Sequence, residues 1–209
     1  MKTMVIDLAG LFQRNAPRKL RLATNMEIFW DRLAWAEGMS NERMRTQRLS
    51  LVSAELRHRG FSVMDIASPS SPEIPDYSRI EGTGQKWPAI EGYYTRYGDV
   101  LELLRKSDDR YVIMGSGDEV LLRFPVATGP PPGWERDFVM IGDGWIKDGD
   151  FNSAYSRTVL PLPYHAMKGY TSPPRRLEDD HAYREHARDW QEFHTRYMAP
   201  EEFRSALWK

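Results

Sequence analysis

A strict alternation of apolar and polar side chains over residues 19–30 most constrains what this chain can fold into. One face of the segment carries Leu20, Leu22, Thr24, Met26, Ile28 and Trp30. The opposite face carries Arg21, Asn25 and Glu27. Because successive side chains of a strand point to opposite faces, the pattern predicts a long strand with one face on a core.

Other segments also predict strands separated by turns. A bend is expected at Gly60, between two of them, and a Gly-containing turn joins two others as a hairpin. These segments cover residues 48–58, 61–64, 111–114 and 119–124; residues 48–58 also fit helical spacing, through Leu49, Val52 and Leu56, and the strand is favoured there. Residues 134–141 carry apolar side chains on both faces, which is typical of a central strand. The expected fold is therefore mainly β: an antiparallel β-sandwich or jelly-roll-like domain.

Three stretches depart from this β pattern. Residues 67–92 hold four prolines among Ser and Gly, which predicts a long irregular loop. A short helix is expected near 99–106, capped by Asp99. From residue 179 onward aromatic side chains recur at helical spacing, which predicts an amphipathic helix and a second short helix. We therefore expect a β-sandwich domain over residues 1–170 and a C-terminal helical tail over 171–209 packed on it.

The composition excludes several classes of protein. None of the 209 residues is cysteine, so disulfides and thiolate metal sites are excluded. No apolar run reaches 18 residues, so no membrane span is expected, and residues 1–12 lack the pattern of a signal peptide. The net charge is −1, and a basic cluster over residues 14–21 has no accompanying recognition motif, so we expect no nucleic-acid partner.

Seven short motifs, in a fixed order, carry a family resemblance. They are LATNMEIFWD at 22–31, AELRHRGFS at 54–62, YTRYGDV at 94–100, GDE at 117–119, PGWERDF at 132–138, DGWIKDGDFN at 143–152 and LPLPYHAM at 160–167. Together they resemble the C-terminal region of large bacterial proteins of the cartilage-acidic-protein type, which carry FG-GAP/VCBS propeller repeats and an ASPIC/UnbV segment. The resemblance implies a periplasmic or extracellular setting and a binding or scaffolding role. The chain lacks the Asp-x-Asp-x-Asp-Gly repeat of the propeller and looks like the terminal module alone.

An acidic, glycine-rich stretch follows the predicted central strand and offers oxygen ligands. Asp148, Asp150 and Asn152 stand at alternate positions, as do the first ligands of an EF-hand loop. The match then ends, because position six is Ser153 and position twelve is Val159. Two readings stay open: a Ca²⁺ loop of another kind, completed by Asp143 or backbone carbonyls, or a turn whose side chains bond their own backbone.

Histidine and serine patterns give no catalytic assignment. The spacing of the five histidines does not fit a zinc helix, and the GSG at 115–117 is not a nucleophile elbow. His165 follows a Leu-Pro-Leu-Pro run and has two readings. It is either a buried, hydrogen-bonded histidine or a group that contacts a ligand, with general-base chemistry as the sharpest form of the second.

The 25 aromatic residues predict an aromatic-lined surface as well as a core. The candidate ligand or partner contacts are Trp87, Trp145, Tyr93, Tyr94 and His165. Two functions follow as hypotheses. The first is a non-catalytic binding or assembly module that contacts a carbohydrate or a protein partner and is Ca²⁺-stabilised through the acidic loop. The alternative is a glycan-acting hydrolase that uses acidic residues near 143–150, which would show two facing carboxylates in a cleft.

Overall fold

The structure, a computed structural model, describes residues 4–12, 17–23, 32–36, 44–69, 71–84, 90–126, 128–147, 155–168 and 177–199. The chain divides into two compact units, residues 1–43 and residues 44–209. The described residues of the first unit contain a turn at 9–11 and no strand, so residues 19–23 of the predicted long strand do not form one. Residues 24–31 of that prediction lie outside the described residues.

The described part of the second unit is built mainly from strands in small antiparallel sheets. Its strands are β1 (Ser53–His58), β2 (Phe61–Asp65), β3 (Ile74–Gly82), β4 (Gly92–Tyr94), β5 (Gly98–Asp99), β6 (Asp118–Arg123) and β7 (Arg196–Met198). Three sheets result, with strand orders β5-β1-β6, β2-β3 and β4-β7. The predicted mainly-β character is confirmed, and a 3-10 helix occupies Leu101–Leu104, inside the predicted short helix.

Strands β1 and β2 follow the sequence prediction closely. Ala54 and Leu56 of β1 are buried, while Glu55 and Arg57 between them are exposed. The predicted bend is present at Gly60, where φ is +95° and an added Cβ would lie 2.4 Å from the carbonyl oxygen of Gly82. Only glycine fits that turn without strain.

Two predictions for the middle of the chain were wrong. Residues 67–92 are not wholly irregular, because β3 lies within them and pairs with β2 despite Pro75. Residues 111–114 are not the first arm of a hairpin: β6 pairs instead with the distant β1, in the register Leu56↔Val120. Local turn signals predicted where β6 begins and ends, but they did not predict which strand it pairs with.

The C-terminal tail is only partly helical. Two short helices, α1 (His181–Glu185) and α2 (Ala187–Glu192), are separated at His186, and the chain then forms β7 against β4. The single amphipathic helix predicted here was therefore wrong beyond residue 192, while the helix predicted from Pro200 lies outside the described residues. Tail residues Phe193 and Ala182 each enter one of two hydrophobic clusters, around Leu56 and around Tyr94 respectively.

Residues 134–141 do not form the predicted central strand. They belong to none of the described sheets and are exposed, with Val139 at 88% and Ile141 at 93%. Apolar side chains on both faces would suit a central strand, but the described body places no strand beside this segment.

The helices among the described residues are too short or too polar to cross a membrane.

Candidate functional site

Three aromatic rings form a surface cluster at the β4–β7 pair, called here the aromatic platform: Tyr93, Trp190 and Tyr197. Tyr93 and Tyr197 are cross-strand partners, with ring centroids 4.9 Å apart and planes tilted by 55°. Trp190 of α2 meets Tyr93 edge-on at 6.3 Å. The two tyrosines are 42% and 49% exposed, so the platform presents ring surface to solvent while its base is packed.

The base of the platform is a buried polar network that fixes Trp190. His194 packs edge-on against the Trp190 ring at 4.9 Å, and its Nδ1 lies 3.1 Å from the Thr95 hydroxyl oxygen. That oxygen accepts the Ile113 N–H at 2.7 Å, and its own proton stays free to be donated to a neutral His194 ring. Burial lowers the pKa of His194 to about 4, which agrees with a neutral ring whose Nδ1 accepts.

An ion pair holds α2, the helix that carries Trp190. Arg110 donates through Nε at 2.8 Å and Nη2 at 2.6 Å to the two carboxylate oxygens of Asp189, which is buried. Such a two-point contact fixes orientation as well as distance. The hydrogen bonds from Arg110 to Asp189 raise the pKa of the guanidinium further, so Arg110 stays charged.

A second network ties β7 to the turn before β6. The Asp118 side chain is almost fully buried and accepts from Arg196 Nη2, from Tyr97 Oη at 2.9 Å and from the Gly115 N–H at 2.8 Å. Burial opposes ionisation of Asp118, but these hydrogen bonds outweigh it, and the pKa of the carboxyl is lowered. Arg196 therefore holds the strand that carries Tyr197.

His165 lies in a separate cluster of polar side chains. Its Nδ1 is 2.6 Å from Asp109 Oδ1, which also accepts the His165 backbone N–H, and its Nε2 is 2.9 Å from Asp143 Oδ2. Ser107 Oγ donates to the same Asp143 oxygen at 2.7 Å. The two carboxylates, Asp109 first, raise the pKa of His165, because only the imidazolium can donate from both nitrogens.

This arrangement does not match an activated serine. Ser107 Oγ is 3.4 Å from His165 Nε2, but Asp143 occupies that nitrogen and takes the hydroxyl proton. The His165 side chain is more than half exposed. Asp109 has φ of +61°, a strained conformation that its contacts with His165 hold in place.

A groove of about 280 Å³ does exist elsewhere, between Arg59, Met64 and Tyr77, and none of the predicted site residues lines it.

The predicted site residues are thus divided among several places. Asp143, predicted as a metal ligand, and His165, predicted as a ligand contact, are brought together, while Tyr93 lies in the aromatic platform. Tyr94 is 2% exposed and lies in the core, where its hydroxyl donates to the Ile90 carbonyl and burial raises its pKa to about 12. Trp145 is more than half exposed and lies outside the described strands. The remaining candidates, Trp87, Asp148, Asp150 and Asn152, lie outside the described residues.

Sequence reasoning missed Ser107 and Asp109 as partners of His165, because no local pattern links positions more than fifty residues apart.

Within the described ranges, no group of three or more His, Asp or Glu side chains converges as a metal site. Set beside protein-family models, curated proteins and solved structures, the chain matches none of them.

Proposed function

We propose that this chain is a non-catalytic binding or assembly module of an extracytoplasmic protein, and that it contacts a carbohydrate or protein partner through the aromatic platform. The observation that carries the proposal is the pair Tyr93 and Tyr197, whose rings are exposed yet held by strand pairing and by Trp190. Rigid aromatic rings offer contact area at a low cost in side-chain entropy. The setting rests on the family resemblance.

The architecture that we propose around this surface is a sandwich. The sheet β5-β1-β6 covers the cluster around Leu56, and the pair β4-β7 covers the cluster around Tyr94. Two small sheets that each bury one face are the elements of such a fold. In this proposal the body ends near residue 170, and the tail from 171 adds α1, α2 and β7 to it.

The proposal is tested by binding of a panel of soluble polysaccharides, measured by calorimetry, and by affinity capture of protein partners. Replacing Tyr93→Ala or Tyr197→Ala should weaken binding about tenfold each, because each removes a ring from the contact. Tyr77→Ala is the matched control, since Tyr77 is an exposed tyrosine on β3. An equal loss in the control variant, or no loss in the platform variants, would contradict the proposal.

A glycan-acting hydrolase is the second candidate function, favoured by one observation. Asp143 and Asp109 stand on opposite sides of the His165 ring, so two carboxylates share a site with a cationic histidine. Release of reducing ends from polysaccharides measures this activity. Asp143→Asn should abolish it if the cluster is catalytic, whereas activity that survives the change, or is never detected, leaves the binding module as the function.

Calcium is proposed as a stabilising ion of the loop that contains Asp148, Asp150 and Asn152. Asp143 was predicted as a fourth ligand, but its carboxylate is hydrogen-bonded to His165 and Ser107. This part of the proposal therefore rests on Asp148, Asp150 and Asn152. Ca²⁺ bound only to the folded chain raises its melting temperature, and EDTA lowers it. Asp148→Asn should remove the Ca²⁺-dependent shift, and a melting temperature that neither reagent changes would exclude the ion.

A further inference from the structure

The carboxylate of Glu91 lies beside the aromatic platform. This residue directly precedes β4, is partly exposed, and accepts the Tyr197 hydroxyl through Oε1 at 3.1 Å. The ion pairs formed by the described residues do not include Glu91. Exposed rings therefore adjoin a negative charge that has no counter-charge within the part of the chain that the structure describes.

The arginines on the three elements that carry the platform do not neutralise Glu91. Strand β4 has no arginine, and Arg188 of α2 pairs with Glu192 of the same helix at 2.6 Å. Arg196 of β7 pairs with the buried carboxylate of Asp118. Ring faces beside the negative charge of Glu91 are complementary to a cationic ligand.

The chain contains the complete form of such a contact in another place. The Tyr97 hydroxyl donates to Asp118 Oδ1 at 2.9 Å, and Arg196 donates to the other oxygen of the same carboxylate. The Arg196 guanidinium also lies 4.2 Å from the centre of the Tyr97 ring. A tyrosine, the carboxylate that accepts its hydroxyl and an arginine over its ring therefore form one unit.

Tyr197 and Glu91 repeat two of the three members of this unit at the surface. A phenol that donates its proton to a carboxylate has a more electron-rich ring, which attracts a cation over its face more strongly. The Tyr93 ring, 4.9 Å from that of Tyr197, brings a second ring within reach of the same cation. The planar guanidinium of arginine suits this site, because it stacks on aromatic rings and also donates to a carboxylate.

We propose that the platform takes an arginine side chain of a protein partner, which lies over the Tyr93 and Tyr197 rings and pairs with Glu91. The inference rests on the proposed function and narrows its ligand from a carbohydrate or a protein to a protein with an exposed arginine. A neutral sugar can also stack on the rings, but it leaves the negative charge of Glu91 without a counter-charge.

NMR titration with short peptides tests the ligand. The probe is the peptide Gly-Gly-Arg-Gly-Gly, blocked at both ends, and its control is the same peptide with uncharged citrulline in place of arginine. The arginine peptide should shift the signals of residues 91–93 and 197 with millimolar affinity, because one exposed cation–π contact and one exposed ion pair are each weak. The citrulline peptide should bind at least about fivefold more weakly. No binding of the arginine peptide, or equal binding of both, overturns the proposal.

Glu91→Gln tests the counter-charge. The variant keeps an oxygen that can accept the Tyr197 hydroxyl and removes only the charge, so it should weaken binding of the arginine peptide at least about fivefold. Glu55→Gln is the matched control, because it removes the same charge from an exposed glutamate of β1, and it should bind like the unaltered chain. Full affinity of the Glu91→Gln variant, or an equal loss in the control, overturns the proposal.

The same variants separate this inference from the proposed function. Polysaccharide binding that Tyr93→Ala weakens and Glu91→Gln leaves unchanged, with no response to the arginine peptide, overturns the arginine contact and keeps the platform as a binding surface. Ligand binding that survives both Tyr93→Ala and Tyr197→Ala overturns the platform itself, and the proposed function with it.

Discussion

Strand β1 and the exposed residues 138–146, called here the apolar ribbon, carry similar side chains and have opposite environments. Leu56 of β1 is fully buried, whereas Ile141 of the ribbon is 93% exposed. The difference lies in the backbone: β1 has β5 on one edge and β6 on the other, while residues 138–142 have no strand beside them in the described body. Between these two segments, the apolar side chains are buried where neighbouring strands satisfy the peptide groups and exposed where no strand does.

The largest effect expected is in the body. Leu56→Ala should lower the free energy of unfolding by about 2–5 kcal/mol, because it leaves a cavity among Ala54, Val100 and Phe193. Urea unfolding followed by circular dichroism measures the change. A loss below about 1 kcal/mol would mean that β1 is no better packed than the ribbon, and the comparison would fail.

The buried ion pair of the body should matter nearly as much. Asp189→Asn should cost about 3 kcal/mol, because it leaves the Arg110 guanidinium partly buried without its two-point partner. The control is Glu192→Gln, which loosens only the exposed contact with Arg188. Equal small effects in urea unfolding of the two variants would show that the pair does not hold α2.

His194 predicts a pH dependence of the body. Its folded pKa of about 4 lies below the ordinary value near 6.5, so the neutral ring is favoured in the fold. The contribution of the neutral His194 ring to the free energy of unfolding is fully present above pH 6.5. It is lost as the pH drops toward 4, which lowers the free energy of unfolding by up to about 3 kcal/mol. Asp189 opposes this shift in pKa, whereas Arg110 adds to it. His194→Gln should flatten this part of the stability–pH profile, whereas His181→Gln should keep it.

The ribbon should show almost no effect on the stability of one chain. Ile141→Asp should change the unfolding free energy of the monomer by no more than about 0.5 kcal/mol, since the side chain touches little. Measured in dilute solution, a loss comparable to that of Leu56→Ala would show that the ribbon is covered within its own chain.

The contact between His165 and Asp143 joins the body to the ribbon and should have the smallest effect. NMR titration of His165 measures it. The pKa of His165 should lie above 6.5, because Asp109 and Asp143 hold the imidazolium. The stabilisation from this contact is present below pH 6.5 and is lost as the pH rises through the raised pKa. Asp109→Asn should return the pKa toward 6.5, while Asp108→Asn, at the neighbouring residue, should lower it less.

Local patterns were sufficient for some elements and not for others. The strand favoured for residues 48–58 and the glycine at position 60 predicted β1, the bend and β2, because these depend on side chains and torsions within a few residues. The hairpin predicted for residues 111–124 failed because the partner of β6 lies sixty or more residues away. In the site, Asp143 and His165 were both singled out, yet for different roles, since only folding brings them within 2.9 Å.

By itself, the sequence determined the mainly-β character, the exclusion of disulfides and the positions of several strands and turns. Those properties follow from side-chain periodicity and backbone torsions, which are local. Only the tertiary structure decided that Tyr94 is core while Tyr93 is surface, that residues 196–198 of the tail form a strand beside β4, and that residues 134–141 join none of the described sheets. Those outcomes depend on which distant segments supply hydrogen bonds and cover, and a strand's own residues do not encode its neighbours.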